Sequence, residues 1–230
     1  MSFNLHQARL IAAELSDNSG SEEGLVESFA QVCSYLSEYP DAISWRGNNK
    51  PNVNTVDGVK ILANRYFESY RSSDYPAIPG TVPDDMVSIV LQVAYGYDIQ
   101  QSEFIKLAHQ QSMCAENTVG ALLERYLDSK LRNHNWHWCC GDFVKAIDFI
   151  SKDQNGNLLE LQIKNRDNSE NSSSSAIRND TNIQKWFRTY SRTGRTNWEN
   201  LPTLMRGYEL SEASFIAFVR TYLEEEKRKL

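Results

Sequence analysis

The stretch FVKAIDFISKDQNGNLLELQIKN, residues 143–165, decides the fold class. Phe143 to Ile150 is a short apolar run that reads as a buried strand. Asn157 to Asn165 alternates, with Leu159, Leu161 and Ile163 on one face and Glu160, Gln162 and Lys164 on the other. The SKDQNG between them is a turn. A three-residue loop Gln154-Asn155-Gly156, with Gly156 in the left-handed region, makes Asp153 and Asn157 the closing pair. Opposed residue numbers then sum to 310, which sets Asp148 opposite Gln162 on one face. A two-residue Asn-Gly turn would shift the sum to 311 and put Asp148 opposite Ile163, on the wrong face.

The face so formed has a definite chemistry. An Asp on one strand, with an oxygen ligand, a spacer and a Lys on the next, suits a hard cation. Mg²⁺ takes carboxylate and carbonyl oxygens and keeps several waters. Asp148 would be the bridging carboxylate, the Gln162 amide a neutral ligand, and the Ile163 backbone carbonyl a third. Lys164 would orient the attacking water and offset developing charge on phosphorus. A second reading pairs Glu160 with Gln162 and leaves Lys164 as a phosphate contact. By spacing alone, Asp148 and Lys164 also read as a cross-strand surface ion pair worth about 0–1 kcal/mol.

Working outward, the apolar stripe Val119, Leu122, Leu123, Tyr126, Leu127 and Leu131 predicts a helix over 116–132, capped by Asn117 or Thr118. In it Glu124, spaced Gly120-x-x-x-Glu124, offers a further carboxylate through a water. Residues 1–112 read as a mainly helical region with loops at 40–54 and 72–85, and 113–230 as the core. Residues 181–191 and 211–229 read as helices. A fourth strand is not evident; 214–219 (SFIAFV) is the competing candidate. His134, His137, Cys139 and Cys140 are too compressed for a tetrahedral zinc site and lack a paired CxxC; Trp136 and Trp138 there read as packing residues.

The 230 residues carry 24 basic and 30 acidic groups, net -6, which taken whole argues against nucleic acid. Split by region, residues 1–120 are net -8, while 161–195 hold seven basic groups against Asp167, Glu170 and Asp180, net +4. That segment begins where the candidate site ends. The longest apolar stretch, Met86 to Tyr95, is about half a membrane span. The N-terminus shows no secretory pattern, and four cysteines without framework spacing suit a reduced, cytoplasmic protein.

Asp148 followed by Gln162-Ile163-Lys164, on helix–strand–turn–strand, resembles the PD-(D/E)xK nuclease superfamily, with Gln in place of the usual Asp or Glu. Residues 161–198, LQIKNRDNSENSSSSAIRNDTNIQKWFRTYSRTGRTNW, are similar to the SinI-type family of type II restriction endonucleases. The likeness covers most of 116–200. It implies an α/β fold with a restriction-endonuclease-like mixed sheet flanked by helices, and Mg²⁺-dependent cleavage of double-stranded DNA at GGWCC, where W is A or T. It also implies a homodimer and a cognate DNA methyltransferase as a functional rather than physical partner. The catalytic set is then Asp148, Gln162, Lys164, Glu124 and Glu160. The expected DNA contacts are Arg166, Asp167, Asn168, Ser172, Ser173, Arg178, Asn179, Lys185, Arg188, Arg192 and Arg195.

Overall fold

Helix follows helix through the first 131 residues, as the apolar spacing predicts. A computed structural model describes residues 2–17, 22–72, 79–167 and 182–229. Helix α1 (Leu5–Leu15) starts at Asn4, whose Oδ1 accepts from the Gln7 N–H at 3.1 Å. Helix α2 spans Leu25–Glu38 and α3 spans Val56–Arg71. Thr55 caps α3 by accepting from the Gly58 N–H. Then come α4 (Asp85–Tyr95) and α5 (Ile99–Leu131).

Helix α5 corrects one expectation. No helix starts at Asn117 or Thr118; 33 residues run unbroken from Ile99. The start lies at Asp98, where Asp98 and Gln101 exchange side-chain-to-amide bonds at 2.8 and 3.0 Å. Nothing between 112 and 118 breaks the helix, and Thr118 donates to the Cys114 carbonyl within it. The final helix, α6 (Glu212–Lys229), includes 214–219, so SFIAFV supplies no strand.

The four strands are β1 (His137–Trp138), β2 (Phe149–Lys152), β3 (Leu158–Arg166) and β4 (Gln184–Thr189), in that order across the sheet. The first two pairings are antiparallel and β3–β4 is parallel, so the sheet is mixed. Strand β4 replaces the helix expected over 181–191. Ile183, Trp186, Phe187 and Tyr190 also fit helical spacing; what decides is Trp186 entering the core beside Ile163. The expected strand over 143–150 is shifted. It starts only at Phe149, because Ala146 takes a φ of 55° and the 143–145 backbone bonds to Ala42 and Ser44 instead.

The β2–β3 register follows the predicted sum: Phe149 faces Leu161, and Lys152 faces Leu158. Gly156 has a φ of 82°, and its N–H donates to the Asp153 carbonyl. Phe149, Leu161, Ile163 and Trp186 are therefore buried on one face. Trp186 meets Trp198, which meets Tyr126 of α5 and Phe215 of α6. On the other side of the core Phe29 packs edge-on against Tyr66, whose hydroxyl donates to the Trp138 carbonyl.

Two compact units result. One comprises residues 1–72 with 124–218 and contains the sheet; the other comprises 73–123 with 219–230.

Candidate active site

Strand alternation and the hairpin turn place Glu160, Gln162 and Lys164 of β3 on the face opposite the aromatic core. The parallel register sets Lys185 of β4 beside Gln162 and Phe187 beside Lys164. Asp148 lies just before β2, where its N–H donates to the Leu161 carbonyl at 2.9 Å. Its side chain turns to β3, and Oδ2 accepts from the Ile163 N–H at 2.6 Å. No other hydrogen bond to this carboxylate occurs among the described residues.

Asp148 keeps some exposed residue surface, but its carboxyl sits beneath the strand. Desolvation raises its pKa to about 6, against the Ile163 amide and the Lys164 ammonium, which both favour the charge. Gln162 is buried, at 3% exposed. Glu160 is held from α2, where the Tyr35 hydroxyl donates to it at 2.7 Å. A cavity of about 890 Å³, lined by Tyr35, Tyr39, Lys145, Ile147, Glu160 and Asn182 among others, opens beside it. Burial drives the Tyr35 hydroxyl and the Cys139 thiol to higher pKa, and the charges of Asp148, Glu124 and Glu160 add to the effect on Cys139.

Glu124 accepts from the Trp138 indole at 3.0 Å. Trp138 pairs with Phe149 and so shares the aromatic face, opposite Asp148. The structure thus brings Asp148, Gln162 and Lys164 together and holds Glu124 and Glu160 at separate anchors. Among the described residues no three His, Cys, Asp or Glu gather as a metal cluster. The residues that β3 sets beside Asp148, Gln162 and Ile163, offer by type an amide and a carbonyl oxygen to add to its carboxylate. Such oxygen donors would suit a water-rich Mg²⁺. In the compressed His and Cys run, His134 stacks on Tyr208 and His137 meets Ser28.

The basic segment divides by position. Asn168, Ser172, Ser173, Arg178 and Asn179 lie outside the described residues. Arg192 and Arg195 are exposed, and Arg195 lies over the Tyr190 ring and pairs with Glu199 at 3.5 Å. Arg166 and Lys185 are half-buried on β3 and β4. Asp167 accepts from the Ser191 N–H at 2.8 Å, tying the end of β3 to the turn after β4. Arg188 points inward: it pairs with Glu212 at 2.5 Å, donates to Asn165 at 3.0 Å and crosses the Phe215 ring.

A family model, SinI restriction endonuclease, matches residues 8–225. The chain belongs to the SinI restriction endonuclease family. Type II restriction enzyme Eco47I of Escherichia coli is 46% identical over 202 residues, 86% of this chain and 87% of that enzyme. Type II restriction enzyme SinI of Salmonella infantis is 42% identical over 228 residues, 98% of each. The chain is a type II restriction endonuclease with an α/β fold, as the resemblance implied, and the likeness extends over almost all of it.

Sequence reading missed the residues that support this candidate site. Asn197 is buried, donates to the Phe187 carbonyl, accepts from the Tyr190 hydroxyl, and offers its own carbonyl to the Trp186 indole. It clamps β4 from behind. Tyr35 and Trp138 likewise orient Glu160 and Glu124. Neither Tyr35 nor Asn197 was singled out by a motif, and Trp138 read only as a packing residue. The one sequence-level signal was polarity: an Asn flanked by Thr and Trp.

Proposed function

We propose that this endonuclease hydrolyses both strands of duplex DNA at GGWCC, using Mg²⁺ held by Asp148, the Gln162 amide oxygen and the Ile163 carbonyl. The observation that carries the site is the register that sets Asp148 against the Gln162-Ile163-Lys164 stretch, within a chain matched to its family over residues 8–225. The specificity GGWCC rests on the resemblance to the SinI-type family. Bound Mg²⁺ supplies Lewis-acid polarisation of the phosphate and a more acidic water.

The protein's own groups do the rest. The Ile163 amide fixes the Asp148 carboxylate through one oxygen and leaves the second without a hydrogen bond among the described residues, so that it can serve the ion. Desolvation makes that charge costly in the absence of a cation, which favours ion binding. Lys164 orients the attacking water, takes up charge building on phosphorus and stands ready at the scissile phosphate. Arg166, Lys185, Arg192 and Arg195 supply phosphate and base contacts, Arg to guanine O6 and N7 in a G·C-rich site. Asn168, Ser172, Ser173, Arg178 and Asn179 complete this segment. A near-palindromic site calls for two copies related by a two-fold axis, and a cognate methyltransferase would protect host DNA.

The test is digestion of a plasmid of known sequence with Mg²⁺, with the ends mapped. Discrete fragments ending at GGWCC are expected. Lys164→Ala should lose cleavage by at least about 10²-fold, the scale of one removed charge-stabilising donor, while DNA binding in Ca²⁺ persists. Full-rate cutting by Lys164→Ala would remove Lys164 from the mechanism, and fragments ending elsewhere would replace the site.

A further inference from the structure

The unit built from residues 73–123 and 219–230 contains a hairpin with inverted polarity. The face of α4 that is buried holds Ser88, whose hydroxyl donates to Glu103 of α5 at 2.9 Å. On α5, Ser102 and Lys106 are buried, and Lys106 pairs with Glu103 at 2.9 Å and reaches Asp85 at 3.9 Å. The inner seam is polar. The apolar residues lie outside it. Met86, Val90 and Val93 recur at helical spacing on the side of α4 away from Ser88, and are 60%, 53% and 83% exposed. Val82, Ile89 and Tyr97 flank them, also exposed, and Phe104 and Leu107 extend the exposed apolar surface on α5.

A water-facing stripe of this size is unusual. Val82, Met86, Ile89, Val90, Val93 and Tyr97 expose on the order of 700 Å², above the few hundred Å² a monomer ordinarily leaves in one apolar patch. It comes close to the roughly 800 Å² that each chain contributes to a standard two-chain interface. Charge argues against anionic occupants. Between Ser72 and Leu123 the sequence has a single basic residue, Lys106, and that one is buried and paired. Around it stand Asp84, Asp85, Asp98, Glu103 and Glu116. Neither a phosphate backbone nor an anionic lipid surface is attracted to such a face.

We propose that the outer stripe of α4, centred on Val90, is where two copies of this chain associate. The proposal rests on the reading of the chain as an enzyme that cuts both strands of a two-fold site. A stripe along one helix is self-complementary. Two α4 helices antiparallel about an axis between Ile89 and Val90 set Met86 of one chain against Val93 of the other, a contact in which each patch meets its own copy. The acidic groups then form a rim around an apolar seam.

The test is the mass in solution of the full chain, by sedimentation equilibrium at micromolar concentration. Twice the 26.4 kDa chain mass is expected, with Val90→Glu/Val93→Glu reduced to a single chain and an unchanged far-UV spectrum. Both sites are exposed in the single chain, so the substitution leaves its core intact. A second variant guards against misfolding: Val93→Cys should be shielded from maleimide at micromolar concentration and become labelled on dilution to nanomolar. A wild-type monomer, a double variant that stays dimeric, or labelling independent of concentration would each overturn the assignment. Specific cleavage by a chain that stays monomeric would overturn it too, leaving the endonuclease reading standing.

Discussion

Asp148 shows what burying a carboxylate costs a fold. Its carboxyl titrates near 6 in the fold, while an unhindered Asp titrates near 3.9. The raised value means the folded chain holds its proton longer than the unfolded chain. Below about pH 4 both states are protonated and the site costs nothing. Between about 4 and 6 the unfolded chain ionises first, so stability falls as pH rises; above 6 the full cost is present. A difference of about two units corresponds to about 3 kcal/mol. Asp148→Asn removes the charge and keeps an oxygen for the Ile163 amide. In EDTA at pH 8 it should be about 2–3 kcal/mol more stable than the parent by urea unfolding, with the gap closing toward pH 4, and it should not cleave DNA. Added Mg²⁺ should stabilise the parent and leave Asp148→Asn unmoved. A variant no more stable than the parent at pH 8 would show that the carboxylate is not under this burden. At this scale the site was legible in part. Asp148 and Lys164 announce themselves by type and register. The Tyr35 hydroxyl on Glu160 does not, because 125 residues of chain separate the two and no local pattern links them.

At the scale of elements, the hairpin could be read because three constraints agree: alternation on β3, a Gly suited to φ 82°, and one register that keeps both apolar sets on one face. Strand β4 could not be read, because its aromatic spacing satisfies a helix equally well and its partner lies across a crossover. Tertiary pairing with β3 and the Asn197 clamp decide it. The end of α5 shows a different kind of dependence. Arg132 pairs with Asp128 one turn back, donates to the Glu23 carbonyl at 2.7 Å and lies over the Tyr70 ring. Their side chains are 11% and 2% exposed. Removing one partner strands the other charge in the interior. Arg132→Ala should therefore cost about 3–5 kcal/mol in urea unfolding, and adding Asp128→Leu should recover a substantial part. Equal instability of the single and double variants would place the loss in packing rather than in the stranded carboxylate.

For the whole molecule, a net charge of -6 and a DNA substrate are reconciled by where the charges lie, and the structure refines that division. Of the seven basic groups in 161–195, Arg188 is committed to Glu212 and Asn165 inside the fold, whereas Arg192 stands at the surface after β4. Attraction to DNA is then local and rests on few phosphates, each of which releases counterions as it is neutralised. The dependence of binding on salt counts them, with a slope of about -0.9 in log K against log salt for each phosphate. Arg192→Ala should weaken binding to all duplex sequences alike and make that slope shallower by about one per subunit, without altering stability. Arg188→Ala should do the reverse. Its loss leaves Glu212 without its cation at the start of α6 and uncovers the Phe215 ring, so the unfolding midpoint falls while the slope measured on folded protein stays the same. Fluorescence anisotropy in Ca²⁺ across a salt series, paired with urea unfolding of both variants, separates the two roles. If Arg188→Ala flattened the slope and Arg192→Ala did not, the inward and outward assignments would be exchanged, and the path of DNA over the sheet with them.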